Sequence, residues 1–173
     1  DQLVFYKCAN QGCSAGVRTV VYNGVGSYAL GGGTNYFNFI FQANGFPSVV
    51  VGRNGTTPGA PQTTFIYCRT ASCDQNTWET VSESSFVLES AVGMGAPRYP
   101  SLAFSSLFDG FLKFTQCTAA DCSTRTSPVL IANAANPNIH YQSNGFPTLT
   151  YYYWSLPQTG IGFTQCLNFD CSQ

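Results

Sequence analysis

Four pairs of cysteines, each separated by four other residues, constrain the fold of this chain more than any other feature. The leading cysteines are 60, 49 and 49 residues apart, and each ends a short run of strand-forming residues. The last two runs both end in Phe-Thr-Gln-Cys. A period of this length indicates a tandem repeat protein whose repeats stack on their neighbours. The pairs are Cys8 and Cys13, Cys68 and Cys73, Cys117 and Cys122, and Cys166 and Cys171.

A second feature repeats upstream of the cysteines. Residues 42–47 read Gln-Ala-Asn-Gly-Phe-Pro and residues 142–147 read Gln-Ser-Asn-Gly-Phe-Pro, and each precedes an apolar run. Asn-Gly predicts a hairpin because both residues tolerate positive φ. A proline that begins the following strand removes no ladder hydrogen bond from the sheet. A weaker version, Pro-Arg-Tyr-Pro, occupies residues 97–100.

These two features divide each repeat into four strands. One strand precedes the Asn-Gly turn, one follows the proline, one ends in the first cysteine and one follows the second. No segment shows a sustained helical period of about 3.6 residues. The chain is therefore predicted to be one all-β domain, residues 1–173, of three to four disulfide-stapled, four-stranded antiparallel repeats. The approximate repeats are 1–25, 26–82, 83–132 and 133–173, of which the first and last are partial, with thirteen strands in all.

The chain resembles the secreted tandem β-propeller-type repeats that carry a Gly-x-Pro turn, a strand ending in cysteine and a C-x4-C clip before the next strand. The Gly-Phe-Pro turns at 45–47 and 145–147 and the four cysteine pairs carry the resemblance, which extends over residues 3–171. The resemblance implies β-propeller-like blades in an extracellular repeat protein. The first repeat lacks two of the four strands and the last lacks one, which departs from ordinary ring closure.

The cysteine pairs could form disulfides or bind zinc. Paired ends of antiparallel strands lie about 5 Å apart, which suits a disulfide across the connecting loop. Zinc would need two pairs to meet, whereas successive pairs lie one repeat apart. Dithiol redox enzymes favour C-x-x-C beside a helix. We therefore predict four local disulfides and neither metal nor cofactor, in a protein that is secreted into an oxidising environment. The bonds are Cys8–Cys13, Cys68–Cys73, Cys117–Cys122 and Cys166–Cys171.

The low charge of the chain excludes several classes of partner. Charged residues make up 9% of the chain and the net charge is −1, whereas about 25% charged residues is usual for soluble domains. No basic field is available for nucleic acid or anionic lipid. No run approaches the ~20 apolar residues of a membrane span. A surface so poor in charge opposes self-association weakly.

Catalysis is not predicted. The single histidine, His140, lies in a predicted strand and is interpreted as a polar residue on one strand face. Asp74, Asp121 and Asp170 each lie beside the second cysteine of a pair, which predicts that they cap backbone N–H groups in a turn. A glycosidase would need two carboxyl groups facing one sugar ring, and no acidic pair is marked for that role.

Aromatic residues make up 15% of the chain, and two interpretations of them remain open. Phe37, Phe39 and Phe41 alternate onto one strand face. The favoured interpretation is that stacked sheets bury both faces of such strands. The alternative is a platform on which sugar rings stack. Asn54 begins the one N-glycosylation sequon, Asn-Gly-Thr, in a loop rich in glycine and proline, and is predicted to carry a glycan.

The partial first and last repeats predict unpaired strand edges, which associate unless they are blunted. Either the chain is one stretch of a longer repeat array, or its ends pair between copies head to tail. The predicted assembly residues are Leu3, Phe5, Ile161 and Phe163. The favoured hypothesis is an extracellular structural or adhesive protein that forms a filament or surface layer from copies of itself. A carbohydrate-binding, lectin-like module is the alternative, and a hydrolase ranks well below both.

Overall fold

The computed structural model describes residues 2–23, 37–53, 62–82, 87–94, 99–106, 110–155 and 158–173. The predicted glycosylation site, Asn54, lies outside these residues. Twelve strands are present in the described part of the chain. They are β1 (Gln2–Cys8), β2 (Gly16–Asn23), β3 (Phe37–Phe41), β4 (Pro47–Arg53), β5 (Gln62–Cys68), β6 (Asn76–Ser82), β7 (Val87–Met94), β8 (Pro100–Ser106), β9 (Phe111–Gln116), β10 (Val129–Tyr141), β11 (Pro147–Ser155) and β12 (Gln158–Gln165).

All the strand pairings are antiparallel, which confirms the predicted all-β class. β1 and β2 form a hairpin, β3-β4-β5-β6 form a four-stranded sheet, and β12-β11-β10-β9-β8-β7 form a six-stranded sheet. Within the described residues these three sheets do not join into a closed ring. The same part of the chain holds no helix long and apolar enough to cross a membrane. The predicted division into one domain with repeat boundaries near residues 25, 82 and 132 stays a prediction.

Two of the thirteen predicted strands form one continuous strand in the described residues. β10 pairs with β9 through Val129–Asn133 and with β11 from Ala134 onward. It is therefore the last strand of one repeat and the first strand of the next. The chain changes partner just before Asn136, whose φ is +51°, and the register of the pairing with β11 shifts across this residue. Asn tolerates this left-handed conformation better than most residues, so the strand can bend here without ending.

The two Gln-x-Asn-Gly-Phe-Pro turns form hairpins as predicted, but by a different backbone conformation. Only the glycines, Gly45 and Gly145, have positive φ, at 79° and 82°. The N–H of Gln42 bonds to the carbonyl of Phe46 at 2.7 Å, which closes a three-residue loop with glycine in the left-handed position. The Asn44 side chain instead accepts a hydrogen bond from the N–H of Phe46 at 2.9 Å. Asparagine therefore acts through its side chain.

A glutamine amide ties three of the four cysteine pairs to the strand that begins with proline. Nε2 of Gln42 donates to the carbonyls of Pro47 and Cys68 at 3.1 and 3.0 Å. Gln142 lies at the same position of its repeat, with Nε2 at 3.5 Å from both equivalent carbonyls. In the repeat between them the amide comes from a different strand, because Gln116 donates to the carbonyls of Pro100 and Cys117. In each of these three repeats, a glutamine amide thus donates to the two carbonyls at equivalent positions.

The core lies between the sheets. Val50 and Phe65 of the four-stranded sheet share a buried cluster with Val92, Leu102 and Phe104 of the six-stranded sheet. The β1–β2 hairpin covers the opposite face of the four-stranded sheet, where Leu3 packs against a second cluster of Val49, Val51 and Ile66. Because both faces of the four-stranded sheet are covered, the repeats form a stack.

Two fully buried threonines provide a test of this core. The hydroxyl of Thr63 has no hydrogen-bond partner, whereas that of Thr115 donates to the carbonyl of Thr126 at 2.7 Å. Thr63→Val should raise the free energy of unfolding by about 1 kcal/mol, and Thr115→Val should lower it by about 1–3 kcal/mol, because only the second change leaves a carbonyl unsatisfied. Denaturant unfolding with intact disulfides measures both. Equal effects would contradict the assigned hydrogen bonding.

Candidate functional site

All four predicted disulfides are present, and each closes its own C-x4-C loop. The Cα–Cα distances are 4.8, 4.7, 4.9 and 4.8 Å in chain order. In every loop the second cysteine has positive φ, between 51° and 61°. The N–H of that cysteine donates to the carbonyl three residues earlier in the first three loops, as from Cys73 to Thr70 at 3.1 Å. We call each closed loop a clip and number them 1 to 4.

Asp121 and Asp170 cap backbone N–H groups beside their clips, as predicted, whereas Asp74 accepts hydrogen bonds from the hydroxyls of Thr70 and Ser72. Asp121 accepts hydrogen bonds from the N–H and hydroxyl of Ser123 at 3.2 and 2.8 Å, and Asp170 accepts one from the N–H of Ser172 at 3.1 Å. The Ser123 hydroxyl, followed by its N–H, lowers the pKa of Asp121, and the positive charge of Arg69 adds to this effect. Arg69 belongs to clip 2, so neighbouring clips lie close enough to interact.

Three residues before each of clips 1, 2 and 3 lies a phenylalanine that packs in the same hydrophobic cluster as the clip of the following repeat. Phe5 packs on the cluster that holds Cys68 and Cys73 of clip 2. Phe65 shares a buried cluster with clip 3, and Phe114 shares one with clip 4. The same contact therefore joins repeat one to two, two to three, and three to four. The recurrence of phenylalanine at this position in the aligned segments is the sequence signal for the contact.

Two surfaces of the chain lack this contact. The first is clip 1, residues 8–13, whose cysteines are exposed although those of the other three clips are buried. The second is the face of β11 and β12 that bears Ile161 and Phe163, which we call the tail face. Phe163 is 63% exposed, whereas its equivalents Phe65 and Phe114 are 0% exposed. Ile161 is 85% exposed, whereas its equivalent Leu112 is 0% exposed.

The four predicted assembly residues therefore divide into two groups. Leu3 and Phe5 are half-buried, because they already pack on the second repeat. Ile161 and Phe163 project from β12, which pairs with β11 along one edge only within the described residues. The structure does not bring the two groups together. Their role in assembly stays a prediction.

The expectation that stacking buries both faces of the phenylalanine-rich strand was wrong. Phe37, Phe39 and Phe41 are all exposed on β3, an edge strand of its sheet. The rings of Phe39 and Phe41 contact each other edge to face, with centroids 5.8 Å apart. Phe37 and Phe39 also line a groove of about 210 Å³ together with Leu3 and Phe5. The first repeat covers the strands beside β3 but leaves these rings in contact with solvent.

A second groove, of about 530 Å³, lies where the third repeat meets clip 4. Two exposed rings, Tyr99 and Phe169, stand in it beside Asn168 and Asp170. The Phe169 ring is held edge to face by Phe146, with centroids 4.9 Å apart. The groove therefore combines fixed aromatic surface with amide and carboxylate groups.

His140 is exposed on β10, opposite Thr148 of β11. Among the described residues, no three histidine, cysteine or acidic side chains converge in a metal-binding group. Burial raises the pKa of Tyr141 to about 12, and its hydroxyl is hydrogen-bonded to Ser101 of the preceding repeat. This tyrosine is interpreted as part of the contact between repeats.

The fold is thus an antiparallel, all-β stack of disulfide-clipped repeats, whose disulfides indicate folding in an oxidising environment. No protein-family model matches the chain, and no curated protein matches it significantly. A solved protein of unknown function from Dyadobacter fermentans is similar in fold, with 15% identity and a TM-score of 0.60 over 78% of this chain. The chain spans 37% of the length of that protein. A fucose lectin from Kordia zhangzhouensis, solved with methyl-fucoside, aligns at 10% identity and a TM-score of 0.45 over 73% of this chain and 96% of the lectin.

Phe114 and Phe163 are equivalent residues, but the first is buried and the second exposed. Comparing their substitutions tests whether the tail face is exposed in the monomer. Phe114→Ala should lower the free energy of unfolding by about 3–5 kcal/mol, because it leaves a cavity above clip 4. Phe163→Ala should change it by about 0.5 kcal/mol or less in dilute solution, because the ring faces solvent. Denaturant unfolding at low protein concentration measures both. A loss at Phe163 as large as that at Phe114 would show that the monomer already covers its tail face.

Proposed function

We propose that this protein is an extracellular structural or adhesive repeat protein that assembles with copies of itself into a filament or surface layer through its terminal strands. The observation that carries the proposal is the tail face, where Ile161 and Phe163 are 85% and 63% exposed on an edge strand. Edge strands of soluble proteins are usually short, charged or covered. β12 has eight residues, Gln158–Gln165, and none of them is charged.

The composition supports association over repulsion. With 9% charged residues and a net charge of −1, copies of the chain repel each other weakly. Full burial of an isoleucine or phenylalanine side chain contributes about 1.5–3 kcal/mol. Association costs about 4–15 kcal/mol in lost translational and rotational freedom. Two side chains cannot offset that cost alone, so the surrounding surface must also contribute.

Secretion and the absence of catalysis belong to the same proposal. Four disulfides in 173 residues fit a protein that works outside the cell. The exposed His140 lies opposite Thr148 in the β10–β11 pairing, and we propose that it has no catalytic role. We propose that the protein acts through its surfaces by binding.

A charge on the tail face should prevent assembly. Phe163→Asp should keep the protein monomeric at concentrations where the unchanged chain forms larger species, because burying an unpaired carboxylate is costly. Leu130→Asp is the matched control, since Leu130 is also apolar and 57% exposed, on β10. Sedimentation velocity over a concentration series and electron microscopy of the same samples give the measurement. The proposal fails if the unchanged chain stays monomeric at its highest soluble concentration.

Carbohydrate binding is a second candidate function, favoured by the groove between the third repeat and clip 4. Sugar rings stack on aromatic side chains while their hydroxyls donate hydrogen bonds to carboxylates and either donate to or accept from amides. Tyr99 and Phe169 offer the rings, and Asn168 and Asp170 offer the polar groups. The two functions are compatible in an adhesive protein.

The groove can be tested with a glycan array. Phe169→Ala should reduce binding to any glycan that the unchanged chain retains, because it removes one stacking surface from the groove. Phe39→Ala is the matched control, since it removes an exposed ring from β3, outside the groove. An array without retained glycans, or binding that is lost only with Phe39→Ala, would refute the groove as a sugar site.

A further inference from the structure

We propose that clip 1 of a second copy docks on the tail face, where it makes the contact that clips 2, 3 and 4 make within the chain. This inference rests on the proposed self-assembly and specifies its contact. The docking segment is residues 8–13 of the next copy, and it packs on the ring of Phe163. The contact therefore joins a clip to a sheet face, whereas strand pairing would join two strand edges.

The internal contacts provide the precedent. Three times along the chain a phenylalanine three residues before a clip shares a cluster with the clip of the next repeat. The three contacts between repeats involve three clips and three phenylalanines, which are Phe5, Phe65 and Phe114. The fourth phenylalanine, Phe163, and the remaining clip, clip 1, are both exposed. One chain thus presents both halves of a fourth contact on different repeats.

The strand register of the tail face matches that of the internal contacts. Phe65 pairs with Val50 across β5 and β4, and Phe114 pairs with Ala103 across β9 and β8. Phe163 pairs in the same way with Thr150 across β12 and β11. Because equal register places side chains on the same face, the tail face presents its ring as the buried faces do.

The charges near the contact are also suitable. Between clips 2 and 3, Arg69 lies near enough to Asp121 to lower the pKa of that aspartate. In the proposed contact the equivalent of Arg69 is Leu167 of clip 4, which is 68% exposed. The equivalent of Asp121 is Gly12 of clip 1. A side chain built at Gly12 would meet nothing within 4 Å, so space for a neighbour is open there. The contact would bury no unpaired charge at either position.

Photo-crosslinking identifies the occupant. The photoreactive residue p-benzoylphenylalanine replaces Phe163, and equal amounts of ¹⁵N-labelled and unlabelled protein are mixed before assembly and illumination. We expect crosslinks between labelled and unlabelled copies that join position 163 to the peptide containing residues 8–13. The same photoreactive residue in place of Leu130 is the control and should not reach that peptide. Mass spectrometry of the digested, reduced sample gives the crosslinked pairs.

A variant without the disulfide of clip 1 provides a second experiment. Cys8→Ser with Cys13→Ser should reduce the crosslink yield from position 163 by about tenfold, as expected when a central contact is lost. Circular dichroism checks that this variant stays folded. Crosslinks from position 163 only to strand edges, such as residues 160–165, would overturn the clip contact but leave self-assembly in place. Crosslinks only within one copy, or monomers throughout, would overturn both.

Discussion

The stack depends on one contact, the seating of a disulfide clip against the phenylalanine face of the preceding repeat. A clip can be buried because its backbone is largely satisfied within the loop, as by the bond from the N–H of Cys122 to the carbonyl of Ala119 at 3.0 Å. Buried backbone groups without partners would cost more than the contact gains. The disulfide joins two sulfurs into one apolar surface with little freedom left to lose. Successive repeats can therefore pack by the same contact although their remaining sequences differ.

Local features of this fold could be predicted from the sequence, because a few neighbouring residues determine them. The four disulfides and the hairpins at Gly45 and Gly145 are of this kind. The partner change within β10 could not be predicted, since it depends on the pairing of one continuous strand with both β9 and β11 and not on a few neighbouring residues. The predicted turn role of Asp121 was confirmed, because its partner Ser123 is two residues away.

Burial was harder to predict than secondary structure, and two identical tetrapeptides show why. Phe-Thr-Gln-Cys begins at Phe114 and at Phe163, yet the first ring is 0% exposed and the second 63%. The difference comes from the following repeat, which lies over one ring and not the other. The error at Phe39 has the same origin, because alternation predicts that the rings of β3 share a face but not whether that face is covered. Exposure in a repeat protein is a property of the stack.

The direction of any association follows from the two unlike surfaces of each repeat. One surface presents the clip and the other presents the phenylalanine, so the contact that joins successive repeats is between unlike surfaces. A two-fold symmetric dimer joins identical patches and would place Phe163 against Phe163, leaving both copies of clip 1 exposed. A head-to-tail contact covers one clip and one tail face at each step and leaves one of each at the two ends. The asymmetry that orders the repeats within the chain therefore also favours directional growth between chains, which closes into a ring only if the rotation per copy divides a full turn.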